Sequence, residues 1–414
     1  MFLTMALFVG HHDLLYPRYA IEGGFDRSEE DALGAAIEGS VSRRVMLVSL
    51  GLFSVIGLIR KGFSKLTING LLGWLMLVFV FWSFVSIGWA ADSLLTFRRL
   101  TVFAILLLAT MALATRWSLS YMPLFAFFST ALYLLIGLSA ELILGTFHPS
   151  LAEYRFAGTV HPNGQGVNCA FMFLAAVSLA GCVKRGRSFF LIAALVAFMF
   201  LILTKSRTSF IGTLVAQILY WMVMSYYSKK SSFILSVCGT LSICWLIYPL
   251  FLIVGGDVIA RISSGILLGR GDSEVWTLTG RTLLWQKCLE YVAERPLHGY
   301  GFNGFWTPGH IQEVATVFGL GLIDAHSVYI DLLLNLGLVG MILYVSIIGL
   351  GIKKSFDYYK ETADIGYSFY FKVTIFCLIH GLLETGMMHM AFGTFLLLWG
   401  LVHLAFVSPS FRWR

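Results

Sequence analysis

Charge is what this sequence has least of. Only 12% of its 414 residues are Asp, Glu, Lys or Arg, against 58% hydrophobic, and the mean hydropathy is +0.82. A soluble domain of this length needs a polar surface that such a composition cannot supply, so that class is excluded. Cysteine is scarce as well. Cys169, Cys182, Cys238, Cys244 and Cys377 fall in apolar runs and Cys288 stands alone in a polar loop, which excludes a disulfide framework outside the membrane. No Cys/His spacing has the form of a zinc site, and His11, His12 and Asp13 read as a solvated cluster. No internal repeat is visible, which argues against an inverted-repeat transporter. The pI of about 9.1 follows from the basic turns of a membrane protein and gives no reason to expect a nucleic-acid partner.

What the sequence does have is a succession of apolar runs of about 17–25 residues, the length that carries an α-helix across a bilayer. The expected fold is all-α, a polytopic integral membrane protein of about twelve transmembrane helices. Candidate spans lie at 1–10, 44–59, 68–88, 100–115, 119–140, 165–183, 188–204, 209–227, 233–254, 326–349, 368–387 and 390–407. The first is short and lacks the basic flank of a signal peptide, so it reads as a helix stub or an interfacial segment. Short turns bearing Arg60/Lys61/Lys65, Lys184/Arg185/Arg187, Lys229/Lys230 and Lys353/Lys354/Lys360 fall on alternate connections, which assigns their face to the cytoplasm. Loops 11–43, 141–164 and 255–325 then lie outside. Three regions follow: an N-terminal bundle over 1–254 with about nine spans, an outer loop over 255–325, and about three further spans over 326–414.

On the outer side, basic residues recur at helix mouths: Arg98, Arg99, Arg155, Lys205, Arg207, Arg261, Arg270 and Arg281. In RFAGTVHPNGQG (155–166), Pro162, Asn163 and Gly164 mark a turn entering a helix. His161, Asn163 and Gln165 there read either as helix caps or as substrate contacts. In TKSRTSFIG (204–212), Arg207 sits where two apolar helices meet with almost no loop between them. A cation placed deeper would cost ~2.5–3.5 kcal/mol. Arg207 therefore either snorkels to lipid phosphates or binds a ligand, with Ser206, Thr208 and Ser209 as further donors, and the ligand reading is preferred.

Residues 281–294 place Leu284, Trp285, Cys288, Leu289 and Val292 on one helical stripe, an amphipathic helix that Pro296 terminates. Arg281, after Thr279 and Gly280, would stand at its N-terminus, where free N–H groups, the dipole and a guanidinium converge as a phosphate site. HGYGFNGFW (298–306) offers Tyr300 and Trp306 for sugar stacking, or else for an ordinary interfacial belt. DAHS (324–327) opens the next helix with His326 at its mouth. An imidazole of ordinary pKa near 6.5 serves as a base at neutral pH, and Asp324 would orient it. Asp331 and Asn335 form an i, i+4 stripe expected to face the bundle, and His380 and Glu384 form another, read as structural pairing or a proton path.

Taken together, TKSRTSF, GRTLLW followed by RPLHGYGF, and the His-first helix AHSVYIDLLLNLGLVG resemble the Wzy polymerase/O-antigen ligase superfamily, over most of the chain from about Trp82 onward. The resemblance implies a GT-C-like fold in the bacterial inner membrane. It implies transfer of a glycan from undecaprenyl diphosphate to an acceptor hydroxyl on the periplasmic side, without metal or other cofactor. It further implies Arg207 and Arg281 as diphosphate-binding cations and His326 as the group that activates the acceptor. Arg155, His161, Asn163 and Lys205 are candidate substrate contacts beside them. Near Asn335 the family often carries an acidic residue, which this chain lacks. The GYGFNGFW segment looks more similar to exopolysaccharide polymerases than to ligases that join glycan to lipid A-core. A transporter or flippase for a lipid-linked glycan is the other class, and it would need its polar groups near the bilayer midplane.

Overall fold

The computed structural model describes residues 6–8, 12–18, 41–151, 154–228, 276–318, 322–385 and 391–407. The candidate span 233–254, most of the span 1–10, and Lys229, Lys230, Arg261 and Arg270 lie outside the described residues.

Twelve helices follow one another among the described residues: α1 Val41–Gly57, α2 Gly70–Val85, α3 Ser93–Ala114, α4 Met122–Leu144, α5 Pro162–Cys182, α6 Arg187–Leu203, α7 Arg207–Ser228, α8 Trp276–Glu294, α9 Pro308–Phe318, α10 Val328–Thr362, α11 Ile365–His380 and α12 Phe392–Phe406. No strand occurs among these residues, and a lone bridge joins Leu66 to Val407. Six helical segments, those containing α1 to α5 and α10, are long and apolar enough to cross a membrane, and α6, α11 and α12 are shorter apolar helices. The chain is an all-α polytopic membrane protein.

Local chemistry sets the helix ends. Asp92 caps α3 by accepting from Leu95 N at 2.9 Å, and Asp364 caps α11 by accepting from Gly366 N at 2.8 Å. Gly145, at φ 68°, closes α4 in the left-handed conformation that needs no Cβ. Helix α5 is the centre of the bundle: 72% of its apolar window is buried inside the protein, against 28–44% for the other five segments. Its run of Gly, Ala and Ser permits this close approach, and Gly166 lies against Ser206 and Ser209 where a Cβ would collide.

Two of the basic turns, those of Lys65 and Lys354, meet at one end. Lys65 Nζ donates to Thr115 O at 3.0 Å, Lys354 Nζ to Asn69 O at 2.6 Å, and Ser120 Oγ to Asp364 Oδ2 at 2.5 Å. At the other end α8, α9 and the turns around them form a small separate core on top of α10. Its buried members include Leu284, Cys288, Tyr291, Tyr300, Phe305, Trp306 and Val314.

That cap docks through a break in α10. Gly337 (φ 66°, ψ −166°) adopts a backbone open essentially to glycine alone, and a Cβ there would strike the Leu297–His298 backbone. The carbonyls released by the break are taken by the cap: Tyr300 N donates to Leu334 O at 2.8 Å and Gly301 N to Asn335 O at 2.9 Å. Leu338 N in turn donates to Pro296 O at 2.8 Å. A break in a membrane helix survives only when its backbone groups are re-satisfied in this way.

One expectation for α8 is corrected here and another is refined. The helix begins at Trp276, so Arg281 stands in its second turn and the free N–H groups of a helix start are not beside it. The buried stripe is Leu284, Cys288 and Tyr291, while Leu289 is 49% exposed. Trp285 and Val292 pack half-buried against the same core, so four of the five residues of the expected stripe meet it, and Tyr291 joins the row in place of Leu289.

Candidate functional site

The polar groups at the cap end are brought together by the turn after α11. That helix stops at His380, so His380 and Glu384 are not a helical i, i+4 pair. Residues 383–385 instead run back across the mouth of the bundle. Arg281 Nη1 donates to Leu383 O at 2.8 Å, and its Nη2 lies 3.1 Å from Glu384 Oε1. Two of the five guanidinium N–H donors are thereby committed. The Arg281 side chain is 22% exposed and that of Glu384 12%.

Glu384 is also held from the other side. Asn163 Nδ2 donates to Glu384 Oε1 at 2.7 Å, and Asn163 Oδ1 accepts from Arg155 Nη2 at 2.9 Å. Arg155, Asn163, Glu384 and Arg281 thus form one continuous chain of charge-assisted hydrogen bonds, the strong class of such contacts. Arg155 Nε donates to Thr204 O at 3.2 Å, which ties the network to the turn carrying Lys205 and Arg207. Lys205, at φ 52°, closes that turn, and Arg207 opens α7. Ser209 Oγ reaches Asn163 O at 3.5 Å. The N-termini of α5, α7 and α10 all open here, so the positive ends of three helices add to the arginines.

The same turn reaches the histidine. Thr385 Oγ1 donates to Asp324 Oδ1 at 3.0 Å, and that oxygen accepts from His326 N at 2.9 Å. It lies 3.5 Å from His326 Nδ1, and the ring is 36% exposed. His326 itself has φ 49°, a left-handed backbone uncommon outside glycine and asparagine, which turns the chain sharply before α10. Immediately below, Asp331 is buried and accepts from Trp306 Nε1 at 2.8 Å and from Ala325 N at 3.2 Å. Asn335 accepts from Phe305 N at 3.1 Å. Asp331 and Asn335 therefore face the interior and pin the cap to α10.

Other candidates have structural places at the edge of this cluster or away from it. His161 caps α5, its Nδ1 accepting from Asn163 N at 3.2 Å. Tyr300 and Trp306 are each 4% exposed. The Tyr300 hydroxyl donates to Glu294 at 2.6 Å, and burial with that carboxylate pushes its pKa above the usual phenol range. Rings packed inside the cap cannot serve as sugar platforms, so that expectation is corrected. His12 is not a solvated bystander: its Nδ1 lies 2.6 Å from Thr159 Oγ1 and its ring stacks on Phe8. Glu384 and Thr385 are the residues that sequence reasoning did not connect to the arginines. The available signal was a carboxylate at the end of an apolar span, where an unpaired charge would be costly.

Residues 192–345 match the O-antigen ligase family model. The chain is 30% identical over 102 residues to the exopolysaccharide production protein ExoQ of Rhizobium meliloti, covering 23% of each chain. It is 27% identical over 165 residues to an O-antigen ligase of Pseudomonas aeruginosa, covering 39% of this chain and 34% of that protein. These matches thus span about a quarter to a third of the relatives' length. They support the likeness of the chain to the Wzy polymerase/O-antigen ligase superfamily.

Proposed function

We propose that the chain is a membrane glycosyltransferase acting at the periplasmic face of the bacterial inner membrane. It takes a glycan carried on undecaprenyl diphosphate and transfers it to an acceptor hydroxyl on another lipid-linked repeat, polymerising exopolysaccharide or O-antigen units. The observation that carries this reading is the turn at 383–385, which joins Arg281 to Glu384 and, through Thr385, to the Asp324–His326 pair.

The chemistry needs little more. A glycosyl diphosphate already holds a good leaving group, so the demands are charge neutralisation and removal of one proton. Arg281, Arg207 and Arg155 receive the diphosphate, with Lys205 adding charge beside them. Glu384 and Asn163 pre-organise the Arg281 fork. His326, held by Asp324, removes the acceptor proton as the hydroxyl oxygen attacks the anomeric carbon and the diphosphate departs. Attack from the face opposite the diphosphate inverts the anomeric centre, and a stereochemical assay that finds retention would overturn that step.

The family description and the Pseudomonas relative favour a second reading, a ligase that delivers finished glycan to lipid A-core. Both readings share the donor site. Purified protein in liposomes, supplied only with a lipid-linked repeat, separates them. A size ladder that disappears in His326→Ala supports the polymerase. Donor binding without a ladder, converted to product only when lipid A-core is added, supports the ligase.

A further inference from the structure

Behind Asn163 and Glu384 lies a partly open cavity of about 90 Å³ between the N-terminal segment, α5, the end of α11 and the start of α12. Its polar wall is His12, Asn163, Asn168, His380 and Glu384, and the rings of Tyr133 and Phe392 supply an apolar wall. His380 is the informative member. It is 3% exposed, its ring stacks on Phe376 with centroids 5.3 Å apart, and neither ring nitrogen has a hydrogen-bond partner. Buried polar atoms are seldom left in that condition, and those that are call for an explanation such as a ligand.

Size and chemistry narrow the occupant. Ligand pockets for whole small molecules run from about 300 Å³ upward, so this space suits part of a molecule better than a whole sugar. A few waters or one substituent of a few heavy atoms would fill the space. Glu384 on the wall disfavours a carboxylate or a phosphate. A hydroxyl would engage one imidazole nitrogen and leave most of the volume empty. A neutral imidazole offers one acceptor and one donor, and an amide carries both an N–H and a C=O, so it can partner whichever ring nitrogen faces the cavity. A methyl beside them would lie against the two rings.

We propose that this cavity is a specificity pocket for a short N-acyl substituent, an acetamido group, on the sugar joined to the diphosphate. The proposal rests on the donor-site reading above. Asn163 and Glu384 supply the continuity, since each lines the cavity while holding an arginine of the diphosphate site.

The test uses the full chain in liposomes and three lipids: undecaprenyl diphosphate alone, the same lipid bearing a 2-acetamido-2-deoxyhexose, and the same lipid bearing a hexose with a 2-hydroxyl. The acetamido donor should bind at least tenfold more tightly than the hydroxyl donor, and H380F, which keeps a stacking ring but removes both nitrogens, should erase the difference. Equal affinity of the two sugars in the unaltered protein would overturn the pocket while leaving the donor site standing, and this comparison needs no variant to fold. No binding of undecaprenyl diphosphate itself would remove the donor-site reading, and the pocket proposal with it. Discrimination that survives in H380F would show that His380 is not the reader and would equally overturn the proposal.

Discussion

Arg99 and Arg281 stand at the same end of the molecule, and each uses two guanidinium nitrogens to bind protein, yet the proposed function gives them different work. Arg99 donates to the backbone carbonyls of Asn303 and Trp306, the latter at 3.3 Å. Arg281 gives one nitrogen to a carbonyl and the other to the Glu384 carboxylate. Carbonyls in a packed turn cannot leave without unfolding it, so Arg99 clamps the cap onto α3. A carboxylate can yield its place to a phosphate oxygen of similar geometry. On the proposed function, what separates the structural arginine from the ligand-binding one is the exchangeability of its partner, not its position beside the membrane.

Substitutions test that contrast. The largest effect is expected at His326: His326→Ala should reduce transfer about 10²–10⁴-fold while the lipid-linked donor still binds, as measured by turnover and equilibrium binding side by side. Loss of both together would place His326 in folding rather than chemistry.

Gly337→Ala should act through the fold. Its backbone is open only to glycine and its Cβ direction is occupied, so destabilisation of about 3 kcal/mol is expected, read as a lowered unfolding midpoint in detergent. An unchanged midpoint would mean the cap does not depend on the break in α10.

Arg281→Lys keeps the charge but loses the fork. Charge-assisted bonds contribute about 1.5–3 kcal/mol each, so losing one should weaken donor binding by roughly 10- to 150-fold with little change in stability. Arg99→Lys should reverse the pattern, costing ~1–3 kcal/mol of stability while donor affinity per folded molecule stays within about twofold. If both variants lost affinity alike, the distinction between the two arginines would collapse.

The smallest effect is a negative one. Cys288 is buried in the cap, and burial, with Asp331 and Asp324 nearby, pushes its thiol up to about 12. The thiolate that reacts with maleimide is therefore absent at pH 8, and the folded protein should leave Cys288 unlabelled. Rapid labelling would show that the cap opens.

Much of the fold was legible in the chain because apolar length and basic turns act locally. The helices α1 to α7 and α10 to α12 each overlap an expected span, although α3 starts at Ser93 rather than 100, α10 runs on to Thr362 rather than 349 and α11 stops at His380 rather than 387. The inward stripe of Asp331 and Asn335 was legible for the same reason. The start of α8 was not, since Thr279 and Gly280 look like a helix opening while the helix continues through them to Trp276. Aromatic residues in a glycine-rich run carry no mark of which way they face, so Tyr300 and Trp306 read as platforms although they pack as core.

By itself the sequence determined the membrane class, the order of helices and the residue types available at their outer mouths, because transfer energies and helix periodicity depend on near neighbours. Only the tertiary structure decided which of those residues share a site. Asn163 meets Glu384 across 221 positions and Arg281 meets it across 103, separations over which no local pattern speaks. The packing of α5 at the centre of the bundle and the turn at 383–385 bring them together, since buried polar groups must find partners wherever in the chain those partners lie.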